Sequence, residues 1–290
     1  MESHPPARKV VTRAPWRTVR LLNLRGIFPE PVECESSLER DFVHRIALCP
    51  SVVDVRHQPL RLDLPEGRFY TPDFLVVHCD GSTSVVEVKP ASKVRRNAAL
   101  FDLASQALRQ QGQSFVVLTE REIRCANSHD QATFILRYRK SSIDAHDRHR
   151  VLSLFDEAPL LTLSVGSIRH RAGVDIACVL HLVATRELIA SPHHDFSAGA
   201  HLARRSHKDS HHAVHVHEWF GAQGWSTDHR VGPRIECERA SVRGHVDTAR
   251  AHDQNLRGSQ ADLERSISGR ARGNLDDTDA QGREGARLPV

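Results

Sequence analysis

A chain of 290 residues with 39% hydrophobic residues can form one large domain or two small ones, and its net charge of +4 permits a nucleic-acid partner without requiring one. Its six cysteines lie far apart and form no CxxC pair, which argues against a disulfide framework and a cysteine-rich zinc site. Because the sequence contains neither a secretory signal nor an apolar run of roughly 18 residues, we expect a soluble, cytoplasmic protein with no membrane partner.

The sequence changes character at about residue 36. Residues 1–35 contain five prolines and no hydrophobic periodicity, which predicts a flexible basic arm. Ser36 followed by Glu39 is typical of a capping box, and it predicts a helix that continues to about Ala47.

Short strand patterns dominate the next segment. The apolar stretches that predict strands lie at residues 52–56, 58–64, 68–77, 84–89 and 114–119. A second helix is predicted from Ser92, as its cap, to Gln111, with Gly112 as its end. The order of helix, strands, helix and strand predicts a small α/β domain over residues 36–145.

Three short helical segments follow, at residues 151–155, 161–173 and 174–188. Short helices with tight turns favour a helix-turn-helix or winged-helix-like domain over residues 146–200. A plain helical bundle fits the same pattern equally well.

The composition changes again at about residue 200. Residues 201–290 have no lysine after Lys208 and scarcely any consecutive apolar residues. Such a segment buries too little apolar surface to offset its ordering entropy, so we predict a disordered tail. An aberrant tail from a gene out of frame near its 3′ end would have the same composition, which resequencing of the locus would reveal. The biased composition of the tail argues against a metal site there. Its spacing of histidines could nevertheless capture a metal ion at His211, His212, His215 and His217.

Two acids and a lysine stand out in the apolar strand patterns. Asp73 lies in TPDFLVV and Glu87-x-Lys89 in VVEVKP, with thirteen residues between the two acids. Because side chains alternate along a strand, Glu87 and Lys89 should face one way and the flanking valines the other. An acid and a lysine in these surroundings should be paired, metal-bound or catalytic, since burying either one alone is costly.

Each of these residues also has a simpler interpretation. Asp73 can be an ordinary strand-entry residue after Pro72, and the ExK pair can be the solvated face of an edge strand. Glu39 lies on the apolar face of its helix, where a carboxylate is expected to line a site, but it equally fits a capping box with Ser36.

The acids and the lysine suit phosphodiester hydrolysis. Carboxylates from adjacent strands can hold Mg²⁺, which prefers oxygen ligands and lowers the pKa of a bound water. The sequence therefore predicts a nuclease in which Asp73 and Glu87 bind Mg²⁺ (Mn²⁺ can substitute). Glu39 would complete the metal site, and Lys89 would orient the attacking water.

The surrounding sequence resembles the TnsA endonuclease family of heteromeric transposases. The resemblance rests on ESSLERDFVHRIALCPSVVDVRHQPLRL, YTPDFLV, VVEVKP and SFVVLTEREIR; it covers residues 30–140 and continues more weakly to about residue 200. The family's catalytic positions fall on four residues, and a supporting arginine-x-glutamine falls on two more: Glu39, Asp73, Glu87 and Lys89, then Arg56 and Gln58.

The resemblance implies a restriction-endonuclease-like PD-(D/E)XK nuclease domain over residues 36–145, and Mg²⁺-dependent cleavage of the 5′ strand of double-stranded DNA at transposon ends. It implies a bacterial, DNA-associated protein whose partners are an integrase-type transposase subunit and an ATPase regulator. The family's winged-helix domain, which contacts partners, agrees with the helical pattern of residues 146–200. Lys93, Arg95 and Arg96 follow the ExK strand and either steer DNA phosphates or form a solvated helix face.

Two other functions fit the same residues. One is a repair or restriction nuclease that acts alone; a neighbouring transposase gene would argue against it. The other is a non-catalytic adaptor of a transposase. The intact acids argue against an adaptor, and a Lys89→Ala variant that still supports cleavage would favour it.

Overall fold

The computed structural model of the protein describes residues 20–156, 162–192, 196–205 and 213–225. These residues all belong to one compact unit that ends at Arg234. Most of the predicted arm lies outside the described residues, as do His211, His212 and the predicted tail beyond residue 225.

The described residues form eleven strands and eight α-helices. The first part contains β1 Arg20–Leu22, β2 Val32–Cys34, α1 Ser37–Ile46, β3 Val52–His57, β4 Leu62–Asp63, β5 Phe69–Tyr70, β6 Phe74–His78, β7 Thr83–Val88, α2 Ala91–Gln110, β8 Ser114–Leu118, α3 Glu120–Ile123 and α4 Ser128–Arg137. The second part contains α5 Ala145–Ser153, β9 Thr162–Ser164, α6 Val165–Ala172, α7 Ile176–Ala184, β10 Leu188–Ala190, β11 His201–Arg204 and α8 Val216–Phe220. Within these ranges no helix combines the length and the apolar character needed to cross a membrane.

A mixed four-stranded sheet forms the centre of the first part. Its order is β3-β6-β7-β8, in which β3, β6 and β7 are antiparallel neighbours and β8 joins β7 in parallel. A parallel pair needs a crossover connection, and α2 provides it between β7 and β8. This mixed α/β sheet with its helices fits the predicted nuclease core.

Apolar side chains cover both faces of this sheet. Phe42 of α1 belongs to the same buried cluster as Val86, whereas Phe101 of α2 belongs to the cluster that contains Val85. The two adjacent valines therefore face opposite sides of the sheet, as the period of a strand requires. Glu87, two residues after Val85, lies on the α2 side.

Several predicted elements differ in their details. The strand predicted over residues 58–64 is limited to β4, and the helix predicted over residues 151–155 overlaps only the end of α5. The single strand predicted over residues 68–77 is divided into β5 and β6, because Pro72 between them has no N–H to donate to a strand ladder. The helix predicted over residues 161–173 begins with a short strand. Its helical portion starts only after Ser164, whose hydroxyl oxygen accepts a hydrogen bond from the Ser167 N–H at 3.1 Å.

The second part combines three helices with a small antiparallel sheet. Its elements follow the order α5, β9, α6, α7, β10, β11, and the sheet order is β10-β11-β9. Three residues separate α6 from α7, and Gly173 among them adopts φ +60°, a conformation that favours glycine. The three strands distinguish this part from a plain helical bundle.

The structure differs from the predicted disordered tail over two described stretches after residue 200. β11 completes the small sheet by pairing with β9 and β10. Val216, Trp219 and Phe220 of α8 belong to the core cluster of α1, and the Trp219 indole N–H donates to the Arg45 carbonyl oxygen at 3.2 Å. Composition missed this helix because three apolar residues suffice when their spacing puts them on one helical face.

Trp219→Ala should destabilise the protein by about 3–5 kcal/mol, because it removes a large buried side chain and leaves a cavity beside α1. Trp219→Phe should have a smaller effect, since it keeps most of the apolar volume. Urea unfolding of the full chain, followed by circular dichroism, measures both. Wild-type stability of Trp219→Ala would contradict the packing of α8 on the core.

Candidate active site

The central sheet brings Asp73, Glu87 and Lys89 together at one end of β6 and β7. Asp73 immediately precedes β6, Glu87 lies in β7, and Lys89 follows the last residue of β7. The two strands are antiparallel, so the start of one adjoins the end of the other. The Val88 N–H donates to Asp73 Oδ2 at 2.9 Å, which fixes the Asp73 carboxylate beside β7.

Glu87 is almost completely buried, with 2% of its surface exposed. Lys89 Nζ lies 2.5 Å from Glu87 Oε1, and the Tyr70 O–H donates to Glu87 Oε2 at 2.5 Å. Both carboxylate oxygens are therefore partnered, as a buried carboxylate requires. The alternative of a solvated edge-strand face is wrong, because β7 is an interior strand.

The acids of this group repel each other. Burial, followed by the negative charge of Glu87, raises the pKa of Asp73 well above its usual range, and Lys89 offsets only part of this. Burial alone would lower the pKa of Lys89, but the charges of Glu87, Asp73 and Glu39 outweigh it and raise that pKa. Lys89 is therefore a cation at neutral pH, in a group with more acids than cations.

Glu39 has hydrogen bonds of its own at the start of α1. Its Oε1 accepts from the Ser36 hydroxyl at 2.8 Å, and its Oε2 accepts from the Glu35 N–H at 2.6 Å. The Ser36 oxygen in turn accepts from the Glu39 N–H at 3.1 Å, which confirms Ser36 as the helix cap. Burial is the main cause that raises the pKa of Glu39, and these hydrogen bonds oppose it.

The three predicted metal ligands do not form one ligand set. Across the described residues, no group of three or more His, Cys, Asp or Glu side chains is arranged to hold a metal ion. Glu39 acts on Asp73 through its charge, and it raises the pKa of Asp73 less than Glu87 does. The structure thus brings Asp73 and Glu87 together and leaves Glu39 bound to the helix start.

Gln58 supports the site through its backbone and its side chain. Its N–H donates to the Asp73 carbonyl oxygen at 2.7 Å, from a backbone with φ +39°. Its Nε2 donates to Glu35 Oε1 at 3.4 Å, and the Glu35 N–H is the group that holds Glu39. Gln58 therefore connects the backbone of Asp73 with the side chain of Glu39.

Other predicted residues have partners outside this group. Arg56 Nε donates to Asp54 Oδ2 at 2.7 Å, so its described hydrogen bond does not reach Asp73 or Glu87. The ring of His215 lies 4.8 Å from that of His78, and the ring of His217 lies 5.8 Å from that of His215. These histidines of the predicted tail are not part of a metal site formed by described residues.

The predicted DNA-binding residues lie on the first two turns of α2. Lys93, Arg95 and Arg96 are all exposed there. The helix begins at Ala91, one residue before the predicted cap Ser92, and Pro90 occupies the N-cap position. The basic turns therefore follow directly after Lys89.

Tyr70 is the site residue that sequence reasoning missed. Burial, and then the charge of Glu87, raises the pKa of Tyr70, so its phenol remains a hydrogen-bond donor. The sequence did offer one signal: Tyr70 lies in a predicted strand, and a tyrosine hydroxyl that is buried there needs a hydrogen-bond partner. The sequence offered no means of choosing Glu87 as that partner.

Residues 49–120 match the family model of the TnsA-like endonuclease N-terminal domain. The matched segment contains Asp73, Glu87 and Lys89 and begins after Glu39. The match confirms the resemblance to TnsA endonucleases over these residues and supports a nuclease of that type. No curated protein matches the chain.

Asp73→Asn should raise the melting temperature of the metal-free protein at neutral pH, and each kcal/mol gained corresponds to a shift of about 2–4 °C. An acid whose pKa is higher in the folded than in the unfolded state destabilises the fold when it is ionised. The destabilisation is fully present at pH values above the folded-state pKa and absent at pH values below the unfolded-state pKa. The increase in melting temperature should therefore become smaller as the pH falls toward the ordinary pKa of aspartate.

Thermal melts in a chelating buffer at several pH values provide the measurement. Asparagine keeps an oxygen that can accept the Val88 N–H bond, so the change removes mainly the charge. Asp63→Asn, at an exposed acid of β4, is the matched control and should leave the melting temperature unchanged. A lower melting temperature for Asp73→Asn at neutral pH would contradict the repulsion described above.

Proposed function

We propose that the protein is a metal-dependent DNA endonuclease of the TnsA type, which cuts the 5′ strand at transposon ends as one subunit of a heteromeric transposase. The match over residues 49–120 supports the nuclease class. The observation that carries the site is the ion pair between Lys89 and the buried Glu87, beside an Asp73 whose pKa is raised. Buried charges with perturbed pKa values are typical of catalytic groups.

Mg²⁺, or Mn²⁺ in its place, fits Asp73 and Glu87. Two adjacent carboxylates in a buried site leave an excess of negative charge, which a divalent cation would neutralise. Mg²⁺ usually binds through one or two carboxylates and keeps several waters, so two protein ligands suffice. Glu39 would complete the metal site only by giving up its bonds to Ser36 and Glu35. The bound ion would supply Lewis-acid activation of the phosphate and of a water.

Lys89 would act as a fixed cation. Its raised pKa keeps its ammonium group charged, so it would orient the attacking water and a phosphate oxygen rather than remove a proton. Its pairing with Glu87 places Nζ at the end of β7, and 28% of its side chain is exposed to an incoming substrate.

Two further surfaces fit the proposal. The exposed Lys93, Arg95 and Arg96 would neutralise DNA phosphates beside the cleavage site. The order helix, strand, two helices, two strands over residues 145–204 supports a winged-helix domain. That domain would contact an integrase-type transposase subunit, with an ATPase regulator in the same complex.

Strand cleavage by the assembled proteins tests the function. The full chain is combined with the transposase subunit encoded beside its gene, Mg²⁺ and DNA that carries labelled transposon ends. Wild type should nick the 5′ strand at each end. Lys89→Ala should reduce the rate by about 10²–10³-fold, the usual effect of losing one group that stabilises transition-state charge. Lys140→Ala, at an exposed lysine, is the matched control and should cut normally.

The other outcomes identify the alternative functions. Cleavage by the chain alone, at sites unrelated to transposon ends, would favour a stand-alone repair or restriction nuclease. Undiminished cleavage with both Lys89→Ala and Asp73→Asn would overturn the catalytic site and favour an adaptor.

Replacing Lys93, Arg95 and Arg96 with alanine should weaken DNA binding and flatten its salt dependence. Each lost phosphate contact should reduce the slope of log K against log salt concentration by about 0.9. Fluorescence anisotropy at several salt concentrations, in an Asp73→Asn background that prevents cleavage, measures this slope. Arg109→Ala, exposed near the other end of α2, should leave it unchanged. An unaltered slope in the triple variant would instead indicate a solvated helix face.

A further inference from the structure

Tyr70 has a firmly fixed side chain and no role in the chemistry above. Only 8% of its surface is exposed, and β4 pairs with β5 so that Leu62 lies opposite Tyr70. The centroid of its ring lies 6.4 Å from that of Phe101 and 6.3 Å from that of Phe115. Apolar packing therefore determines where its hydroxyl lies.

The hydroxyl and Lys89 contact different oxygens of the Glu87 carboxylate. Tyr70 donates to Oε2 and Lys89 to Oε1, both at 2.5 Å. An ionised carboxylate has about four lone-pair positions, so each oxygen keeps capacity for another ligand. Because a donor is fixed at each oxygen, the carboxylate cannot rotate freely, and its remaining lone pairs keep a defined direction.

We propose that Tyr70 is a positioning residue for metal binding, whose hydroxyl holds the Glu87 carboxylate in the orientation that binds a divalent cation together with Asp73. This inference rests on the proposed nuclease function. Tyr70 acts through Glu87 and touches neither the ion nor DNA. Hydrogen bonds to ligating groups typically contribute about 10–100-fold to metal affinity.

A purely structural tyrosine would behave differently. The aromatic ring fills the space beside Phe101 and Phe115, and phenylalanine would fill it equally well. The described hydrogen bond of the hydroxyl goes to Glu87, 17 residues away in the chain. Tyr70→Phe therefore separates the packing of the ring from the orientation of the carboxylate.

Mn²⁺ titration calorimetry on the full chain tests the inference. Tyr70→Phe should weaken Mn²⁺ binding by about 10–100-fold. The Mn²⁺ concentration for half-maximal cleavage should rise by a similar factor, while the rate at saturating Mn²⁺ stays close to wild type. Tyr138→Phe is the matched control, because the chain has only two tyrosines and Tyr138 packs against Phe134 in α4. Asp73→Asn measures Mn²⁺ binding elsewhere, including the histidine-rich region.

A second readout does not depend on activity. Mn²⁺ should change the ultraviolet absorption of tyrosine in wild type and in Tyr138→Phe, because the ion alters the hydrogen bond between Tyr70 and Glu87. The change should be absent from Tyr70→Phe. Urea unfolding shows whether each variant is folded, and lost cooperative unfolding in Tyr70→Phe would overturn the inference by showing a structural role.

The remaining outcomes distinguish a failure of this inference from a failure of the proposed nuclease function. Wild-type Mn²⁺ affinity in a folded Tyr70→Phe would overturn the role of Tyr70 and leave the proposed nuclease intact. If Asp73→Asn changes neither Mn²⁺ binding nor cleavage, the proposed function fails and the role of Tyr70 fails with it.

Discussion

A carboxylate inside an apolar sheet needs a partner at each oxygen, and Glu87 imposes this requirement on the centre of the protein. Lys89 meets it from the end of the same strand, and Tyr70 meets it from the short strand before Asp73. These contacts fix the relative positions of β5 and β7. Asp73 adds a second acid at the same place, and the repulsion between the two acids makes the group a candidate site for a divalent cation.

Support for this group extends outward through hydrogen bonds. Gln58 holds the backbone of Asp73 and contacts Glu35, which in turn holds Glu39. The two interpretations of Glu39 are therefore compatible. Its carboxylate completes the start of α1 through Ser36, and its negative charge still acts on the neighbouring acid and lysine. A residue held for structural reasons thus contributes to the electrostatics of the site.

Buried arginines connect the two parts of the chain around α1. Arg186, which follows α7, donates to the carbonyl oxygens of Ala47 and Val52, and Arg45 of α1 donates to that of Pro192 at 3.1 Å. Burial lowers the pKa of each arginine to about 10, so both remain charged at neutral pH. The division predicted at residue 145 therefore separates elements that share buried, charge-assisted hydrogen bonds.

Local patterns were enough to predict the helix cap at Ser36, the strand that carries Glu87, and the placement of the Glu87 and Lys89 side chains on the same face. Capping and strand alternation act over two to four neighbouring residues, so a sequence displays them directly. The partner of Tyr70 and the packing of Trp219 on α1 were decided only by the tertiary structure. Contacts such as that between Trp219 and Arg45 join residues 174 positions apart. Such contacts form only when the chain folds, because the fold brings residues that are distant in the sequence into the same buried core.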